Sequence, residues 1–365
     1  MSTDETTPDL FSPYTLGRVQ LANRIVMAPM TRSRATGNVP NELMATYYAQ
    51  RSEAGLIVTE GTSPSPDGLG YPRIPGLFAS GHVAGWKKTT EAVHAAGSRI
   101  FVQLMHTGRV GHPDNLPPGA KLVAPSALEW ESKIWVDGKG QLAVPVAQEL
   151  TPDEIEHAIE EHVRAAELAM EAGFDGVELH GANGYLIEQF LNTGANQRTD
   201  EWGGSVENRI RFAVEIARRA AARIGGDRIG IRVSPYSNGG GLRSPDDRVE
   251  DLHETLAREM AKLGLAYVHV VDHSSMGMPA VPASVKQKIR AAFGGTVILA
   301  GGNSLESATA DLAAGRGDLF GFARAFIANP RLPSRLRAGL PLAQPDFATF
   351  YTPGSEGYTD YPLEG

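Results

Sequence analysis

The sequence contains no cysteine among its 365 residues. Disulfide bonds, thiolate nucleophiles, and zinc or iron–sulfur sites with cysteine ligands are therefore excluded. No apolar run comes near the ~18 residues that a membrane-spanning helix needs. Residues 1–9 are polar and acidic, whereas a secretory signal would be basic and then apolar. We therefore expect a cytoplasmic protein with no membrane partner.

Basic residues are scarcer than acidic ones. Lys and Arg number 34, Asp and Glu number 42, and the formal net charge at pH 7 is −8. A nucleic-acid-binding surface would carry a basic patch or stripe, so we expect no nucleic-acid partner. Hydrophobic residues make up 42% of the chain, which is enough for a large core. Since α/β barrels of this length are often undivided, we expect a single domain spanning residues 1–365.

Short runs rich in β-branched residues alternate with longer amphipathic stretches, and this alternation occurs eight times. Eight strand–helix units without a break in composition favour an α/β fold of the closed (β/α)8 TIM-barrel type. The alternative is an open, doubly wound sheet, whose usual Gly-x-Gly-x-x-Gly signature should follow the first strand. Residues 24–34 contain no glycine. The predicted strands are residues 24–28, 56–60, 99–103, 176–180, 229–233, 267–271, 296–300 and 318–322.

Three helix starts can be recognised between the strands. Thr151, a following proline and Glu154 form the pattern of a capping box with proline in the first turn. Ser244 precedes a proline and two aspartates in the same style, so we expect a helix to begin there. Ser304 should begin a short helix that ends before Gly315.

The connection after the third strand is unusually long. About 47 residues lie between Gln103 and Thr151, and residues 133–144 have the pattern of a β-hairpin that turns at Asp137-Gly138. A long insertion after a barrel strand lies at the active-site face and often covers it. We therefore predict a capping segment at residues 112–148.

The active site of such a barrel lies at the carboxyl ends of its strands. No strand end carries a lysine, which excludes a Schiff-base aldolase, and Glu60 and Asp272 are too few carboxylates for a metal cluster, so no metal is expected. Neutral donors, two arginines and paired glycines suit a cofactor with a phosphate and a heteroaromatic ring. The strand ends are Pro29-Met30-Thr31-Arg32, Gly61-Thr62, Gln103, His180 with Asn183, Arg232 with Ser234, His273, Gly301-Gly302-Asn303 and Ala323-Arg324.

One helical segment faintly resembles a metalloprotease motif. His157 and His162 flank two glutamates, but they are five residues apart rather than the four that put both on one face. We interpret the segment as a solvated helix face.

The seventh and eighth strand ends suit a phosphate group. Such barrels often bind phosphate there through backbone N–H groups and a helix N-terminus. Gly301 and Gly302 allow a close approach to the backbone, and Arg324 adds a bidentate cation. The alternative is that the glycines only form a tight turn and Arg324 pairs with a carboxylate.

Three further strand ends suit a polar ring and a substrate oxygen. Gln103 can both donate and accept, and Arg232 within an apolar strand is costly unless it meets an anion; alternatively, Gln103 is a polar plug in the barrel. His180 and Asn183 are three residues apart, and a helical turn there would project both to one side as paired donors. Tyr185 follows and could donate a proton.

The residues around these positions resemble the old yellow enzyme family over nearly the whole chain. The resemblance implies tightly but non-covalently bound FMN and hydride supply from NADPH or NADH. It further implies reduction of the activated C=C bond of α,β-unsaturated carbonyl or nitro compounds; the alternative is a nitrate ester or nitro-group reductase that uses the same site. The matching segments are residues 28–32, 103–109, 180–191, 196–200, 202–209 and 357–362.

The resemblance also implies residue roles. His180 and Asn183 would bind the substrate oxygen, Tyr185 would donate the proton, and Tyr71 and Tyr351 would form an aromatic pocket. The implied cofactor contacts are Pro29, Met30 and Thr31 along the ring, Gly61 and Gln103 at its pyrimidine side, Arg232 beside it, and Gly301, Gly302, Ala323 and Arg324 at the phosphate.

Two positions distinguish this chain within the family. Thr31 stands where a second branch carries cysteine, and Met105 replaces a tryptophan of the substrate pocket. A flexible thioether should widen the pocket or allow a flipped substrate. We expect a small-molecule substrate and a monomer or small homo-oligomer. A flavin-free barrel for a phosphorylated ligand and a non-catalytic flavoprotein are the rival classes.

Overall fold

The computed structural model describes residues 9–363. Its strands, in chain order, are β1 (Tyr14–Leu16), β2 (Val19–Leu21), β3 (Ile25–Met27), β4 (Leu56–Thr62), β5 (Arg99–Leu104), β6 (Val123–Ala124), β7 (Lys133–Val136), β8 (Gly140–Ala143), β9 (Gln148–Glu149), β10 (Gly176–Gly181), β11 (Ile229–Val233), β12 (Tyr267–Val271), β13 (Thr296–Ala300) and β14 (Leu319–Phe322). Eight of these form a closed parallel barrel in the order β3, β4, β5, β10, β11, β12, β13, β14. They are the eight predicted strands, so the predicted barrel is confirmed.

Helices follow the barrel strands, and successive helices pack against one another around the outside. Within residues 9–363, no helix is both long and apolar enough to cross a membrane. The helices are α1 (Glu42–Ala49), α2 (Ser80–Ala95), α3 (Pro152–Glu171), α4 (Leu186–Leu191), α5 (Val206–Ile224), α6 (Val249–Lys262), α7 (Ala283–Phe293), α8 (Leu305–Ala313), α9 (Arg324–Ala328) and α10 (Leu332–Arg337).

Local side-chain caps begin two helices as predicted. The Thr151 hydroxyl accepts a hydrogen bond from the Glu154 N–H, and the Glu154 carboxylate accepts one from the Thr151 N–H at 2.9 Å. Ser304 and Ser307 exchange the same pair of bonds at the start of α8. Both caps satisfy N–H groups that the first helical turn leaves without partners.

The predicted helix start at Ser244 is wrong. Helix α6 begins at Val249 after Arg248, whose φ is +53°. The Ser244 hydroxyl donates to the Tyr236 carbonyl instead of capping a helix, and the Asp246 carboxylate binds the buried Arg209 guanidinium on α5. Ser244 and Asp246, which the sequence pattern predicted at a helix start, therefore bind partners that lie outside α6.

The hairpin β1–β2 closes the amino-terminal end of the barrel. Leu16 and Leu21 are buried there against side chains from inside the barrel, including Val58, Phe101 and Leu319. Apolar burial contributes about 25 cal/mol per Å2. This hairpin, which plugs the barrel, therefore stabilises the fold by burying apolar surface.

The excursion between β5 and α3 contains two small sheets. Strands β7 and β8 form the predicted hairpin in antiparallel register, and the Lys139 N–H closes its turn on the Val136 carbonyl at 3.0 Å. Strands β6 and β9 pair in parallel at the base of the excursion.

Arginines anchor the carboxyl-terminal segment 346–358 by its backbone. Buried Arg32 donates to the carbonyls of Phe350 and Gly357, and Arg34 donates to Phe350 at 2.6 Å. Tyr358 stacks on Tyr47 with ring centroids 4.0 Å apart. Buried charges are costly without partners, so Arg32 and Arg34 need these carbonyls. The same hydrogen bonds fix the carboxyl-terminal segment against the barrel.

Candidate active site

A buried polar network fills the middle of the barrel. The Glu178 carboxylate on β10 accepts hydrogen bonds from Gln103 at 2.8 Å, Tyr267 at 3.0 Å and the His269 ring at 2.8 Å. Burial alone would raise the pKa of Glu178, but His269, Arg232 and Gln103 outweigh it and hold the pKa below its usual value. Gln103 therefore has a fixed partner within the barrel, with its backbone paired opposite Glu178.

A cavity of about 520 Å3 opens above this network at the carboxyl ends of the strands. Eight of the ten predicted cofactor residues line it, together with Asn183, His273 and Tyr351. Those eight are Pro29, Met30, Thr31, Arg232, Gly301, Gly302, Ala323 and Arg324.

Unpartnered donors in this cavity fit the polar ring and phosphate of FMN. Arg232 is buried, and its Nε has no hydrogen-bond partner within residues 9–363. Arg324 is exposed and has no carboxylate partner in the described chain; it contacts the Met276 sulfur and lies 5.8 Å from the Phe347 ring. The carboxylate pairing considered for Arg324 is therefore not seen. Because a buried cationic donor normally has a partner, a bound anion is the natural complement of Arg232.

The turn after β13, where the sequence predicts a phosphate site, has a tightly packed backbone. Gly301 and Gly302 have φ values of +119° and +71°, a region that favours glycine. A Cβ on Gly301 would lie 1.9 Å from the Asp272 carbonyl oxygen, so no larger residue fits there. Asn303 bridges the carbonyls of Leu299 and Gly321 and so joins β13 to β14 beneath the turn.

The other two predicted cofactor residues, Gly61 and Gln103, do not line this cavity. Gly61 pairs with Gln103 across β4 and β5, where β4 is irregular. A Cβ on Gly61 would lie 2.3 Å from the Met105 sulfur, so the glycine makes room for Met105. Met105 is only 1% exposed and packs under Tyr71 and Tyr185. Neither Gly61 nor Met105 lines the cavity surface that the other predicted residues form.

His180, Asn183 and Tyr185 meet at the carboxyl end of β10. Asn183 Nδ2 lies 3.5 Å from His180 Nε2, and the Tyr185 ring centroid lies 5.0 Å from that of His180. The predicted proximity of the first two is present, but the predicted helical turn is not, because Asn183 has a left-handed φ of +62° and α4 begins only at Leu186.

The buried carboxyl group of Glu188 holds this turn. The Asn183 N–H donates to the Ser234 hydroxyl at 2.9 Å, and Ser234 and the Gly184 N–H both bond to Glu188 at 2.6 Å. Burial raises the pKa of Glu188 to about 8. The left-handed turn that brings Asn183 back toward His180 thus depends on contacts with Ser234, just after β11, and with Glu188 on α4.

The protonation of the three residues suits a hydrogen-bonding site. Burial, with Arg232, His269 and His273 nearby, holds the pKa of His180 well below its usual value, so the ring is neutral near pH 7. Burial raises the pKa of Tyr185, which keeps its hydroxyl protonated. That hydroxyl lies 3.3 Å from the Tyr71 hydroxyl.

A larger cavity of about 1,050 Å3 adjoins the first and shares Thr31 and Tyr351 with it. Tyr71 and Tyr185 line its inner side, and the β7–β8 hairpin lines its outer side. The two predicted pocket tyrosines, Tyr71 and Tyr351, therefore line the same cavity as the predicted proton donor Tyr185.

Arg73 links three elements at the mouth of this larger cavity. Its guanidinium pairs with the Asp137 carboxylate at the hairpin turn. It also donates to the Tyr351 carbonyl at 2.7 Å and to the Ser33 carbonyl at 2.9 Å. The hairpin is thereby joined to the carboxyl-terminal segment across the mouth.

Sequence reasoning missed several of these contributors. Arg73, Glu178 and Glu188 gave no signal, because each acts through partners far away in the chain. His273 was noted as a polar strand end, yet nothing in the sequence indicated its contact with Asn183 at 2.6 Å.

The interpretation of residues 157–162 as a solvated face is wrong for one of the two histidines. His157 is exposed, whereas His162 is fully buried, bonds to the Ala158 carbonyl at 2.7 Å and stacks against His106. Within residues 9–363, no group of three or more His, Asp or Glu residues could hold a metal ion.

A (β/α)8 barrel with a cavity at its strand ends, a buried arginine and a neighbouring histidine–asparagine pair fits a flavin-binding oxidoreductase. Residues 9–343 match the model of the NADH:flavin oxidoreductase / NADH oxidase family. The chain belongs to this family, which includes old yellow enzyme, as the sequence resemblance predicted. Its FMN cofactor, its NAD(P)H donor and its reduction of C=C bonds in unsaturated compounds follow from that membership and confirm the prediction.

Similar proteins cover nearly the whole chain. Chanoclavine-I aldehyde reductase of Penicillium roqueforti is 44% identical over 96% of this chain and 95% of its own length. 12-Oxophytodienoate reductase 2 of Arabidopsis thaliana is 39% identical, covering 97% and 95%. Morphinone reductase superimposes with a TM-score of 0.93 at 43% identity, covering 99% of this chain and 97% of its own.

Proposed function

We propose that this enzyme reduces the activated C=C bond of α,β-unsaturated carbonyl or nitro compounds through a substrate site made by His180, Asn183 and Tyr185. One observation supports this most directly. Asn183 lines the cavity that contains Arg232 and Arg324, and Tyr185 lines the adjoining larger cavity. The neutral His180 ring neighbours both, at 3.5 Å from the Asn183 amide nitrogen and 5.0 Å from the Tyr185 ring centroid. Oxygen-binding donors and a proton donor therefore meet where the two cavities join.

FMN supplies the hydride-transfer chemistry when bound. The protein's part is to hold it and tune its polar end. The proposed holding residues are Pro29, Met30 and Thr31 along the ring, Gly61 and Gln103 at the pyrimidine side, Arg232 beside it, and Gly301, Gly302, Ala323 and Arg324 at the phosphate.

His180 and Asn183 bind the carbonyl or nitro oxygen of the substrate. Their nitrogens lie 3.5 Å apart, too far for a good hydrogen bond to each other but well placed to donate to one shared oxygen. Two donors at this oxygen stabilise the negative charge that develops on it as the C=C bond is reduced. Because burial lowers the pKa of His180, its ring is neutral and has one N–H to donate.

Tyr185 donates the proton to the α-carbon. A phenol near pH 7 carries its proton, and burial raises the pKa of Tyr185 further. Its one side-chain hydrogen bond in the described structure is donated to the Tyr71 hydroxyl at 3.3 Å. Because this distance is long for a bond between two hydroxyl groups, a substrate can compete for the Tyr185 O–H. Tyr71 and Tyr351 form the aromatic wall of this pocket.

Residues 112–148 act as a cap on a single FMN-binding domain that spans residues 1–365. The hairpin within that segment lines the larger cavity and is joined by Arg73 to the carboxyl-terminal segment. Covering the mouth excludes water and so strengthens the hydrogen bonds inside.

The reaction class is tested in one cuvette by anaerobic addition of NADPH and then cyclohexenone to the purified holoenzyme. Flavin absorbance should bleach with NADPH and return with the enone. A flavin that bleaches but returns only with nitro compounds or nitrate esters would contradict C=C reduction and favour the nitro-reductase alternative.

The role of Tyr185 is tested by Tyr185→Phe in stopped-flow measurements of the two half-reactions. Bleaching by NADPH should be nearly unchanged, whereas reoxidation by cyclohexenone should slow by about 100-fold or more, the usual range for a general acid. Unchanged rates in both half-reactions would show that another group protonates the substrate.

A further inference from the structure

The backbone of Asn183 is held independently of its side chain. Its N–H bonds to Ser234, and the following Gly184 N–H bonds to Glu188, so the left-handed turn is fixed from below. What these contacts leave open is which end of the side-chain amide faces the substrate. The two ends are nearly the same size but have opposite hydrogen-bonding character.

His273 decides this orientation. The closest polar contact of the Asn183 side chain is its Oδ1 with His273 Nε2, at 2.6 Å. An amide oxygen only accepts, so His273 Nε2 must carry the hydrogen. The amide nitrogen then points the other way, toward His180 Nε2 at 3.5 Å.

The loop that carries His273 is itself rigidly held. The neighbouring Asp272 carboxylate accepts hydrogen bonds from the N–H groups of Ser274 at 3.0 Å and Val281 at 3.2 Å, and it pairs with Lys286 at 2.7 Å. His273 follows β12 and lines the same cavity as Asn183. It therefore provides a fixed point from a different strand of the barrel.

We propose that His273 is a positioning residue that holds the Asn183 amide with its nitrogen toward the substrate oxygen. The site then presents two donors, one from His180 and one from Asn183. Without His273 no close partner fixes the amide, and when its oxygen turns toward the substrate oxygen the two acceptors repel each other. This inference rests on the proposed binding of a substrate oxygen at His180 and Asn183.

Two substitutions of similar length separate the hydrogen bond from the bulk of the ring. In His273→Gln, the side-chain nitrogen lies as many bonds from the backbone as Nε2 of histidine and can donate to Asn183. In His273→Met the chain has a similar length but no donor. Both are compared with the unsubstituted holoenzyme for FMN content and melting temperature.

The readouts are the dissociation constant of cyclohexanone, a carbonyl ligand with no C=C bond, from perturbation of the flavin absorbance, and KM against kcat for cyclohexenone. His273→Met should weaken cyclohexanone binding about tenfold and raise KM by a similar factor, which corresponds to one hydrogen bond. His273→Gln should stay within about threefold of the unsubstituted enzyme. The inference fails if His273→Met binds cyclohexanone normally, or if His273→Gln is as weak as His273→Met.

A double-mutant cycle with Asn183→Ala separates positioning from direct contact. If His273 acts through Asn183, His273→Met should have no further effect on cyclohexanone affinity once Asn183 is removed. An equal loss in both backgrounds would overturn the inference. If Asn183→Ala alone leaves cyclohexanone affinity intact, it is the proposed oxygen site that fails, and this outcome is distinct from the others.

Discussion

The two ends of the barrel are closed by different kinds of contact. At the amino-terminal end, Leu16 and Leu21 of a short hairpin pack against aliphatic and aromatic side chains, so the contacts are apolar. At the carboxyl-terminal end, arginines, histidines, carboxyl groups and backbone carbonyls form hydrogen bonds among loops from different strands. The barrel thus places its chemistry where loops from several strands converge and leaves the other end to stabilise the fold.

At the carboxyl-terminal end of the barrel, polar contacts between distant segments hold the loops in place. Arg32 and Arg34 hold the carboxyl-terminal segment by its carbonyls, and Arg73 joins that segment to the hairpin. Such contacts are directional, so they can fix where Tyr351 lies more sharply than apolar packing would. If this contrast is correct, substitutions at the two ends should separate stability from activity.

Leu16→Ala should have the largest effect on stability and little on chemistry. The side chain is fully buried in the plug, and removing it should lower the free energy of unfolding by about 2–5 kcal/mol. Chemical denaturation gives the loss, and kcat for cyclohexenone should stay the same. Thr15→Ala, on the exposed side of the same strand, is the control. A large fall in kcat for Leu16→Ala would show that the two ends are coupled.

Glu188→Gln should change how stability depends on pH. The pKa of Glu188 is raised to about 8 in the folded protein, above its unfolded value near 4.5, so its protonated form is favoured by folding. Its contribution is present below about pH 4.5 and is lost as the pH rises toward 8, by on the order of 5 kcal/mol. The difference in unfolding free energy between the two proteins should therefore change steadily over this window. A constant difference would mean that Glu188 is ionised in the fold throughout.

Arg324→Met should weaken FMN binding while leaving the fold intact. Losing charged hydrogen bonds to a phosphate should cost about 1.5–3 kcal/mol, or roughly 10- to 100-fold in the dissociation constant of FMN. Fluorescence titration of the apoprotein measures this. Arg316→Met, which removes an exposed arginine paired with Asp311 on α8, is the matched control. Equal FMN affinity in both variants would place the phosphate elsewhere.

Arg73→Met should have the smallest effect and should act on the cap. An ion pair that is partly exposed contributes about 0.2–1 kcal/mol. Hydrogen exchange should therefore quicken in residues 133–144, and KM for cyclohexenone should rise a few-fold with kcat nearly unchanged. Lys139→Met removes the exposed pairing of the same hairpin with Asp114 and serves as the control. Faster exchange without any change in KM would show that the hairpin does not limit substrate access.

Much of this protein is encoded locally and was predictable from sequence. The eight strands are short β-branched runs, the caps at Thr151 and Ser304 involve residues three apart, and the turn of the 133–144 hairpin lies within the hairpin itself. Because a parallel barrel gathers the ends of its strands at one face, listing the residues at those ends identified much of the lining of one cavity. It also identified His180, Asn183 and Tyr185 as neighbours.

Tertiary structure alone decided how those residues are held. The sequence wrongly predicted a helical turn after His180 and a helix start at Ser244, because it could not show the partners that Asn183 and Asp246 find on other elements. The contact of His273 with Asn183 spans 90 residues, and the link from Arg73 to Asp137 likewise exists only once the chain has folded. A buried or half-buried polar group takes whichever partner the closed barrel brings near it, and that choice follows from the packing of distant segments rather than from any local pattern.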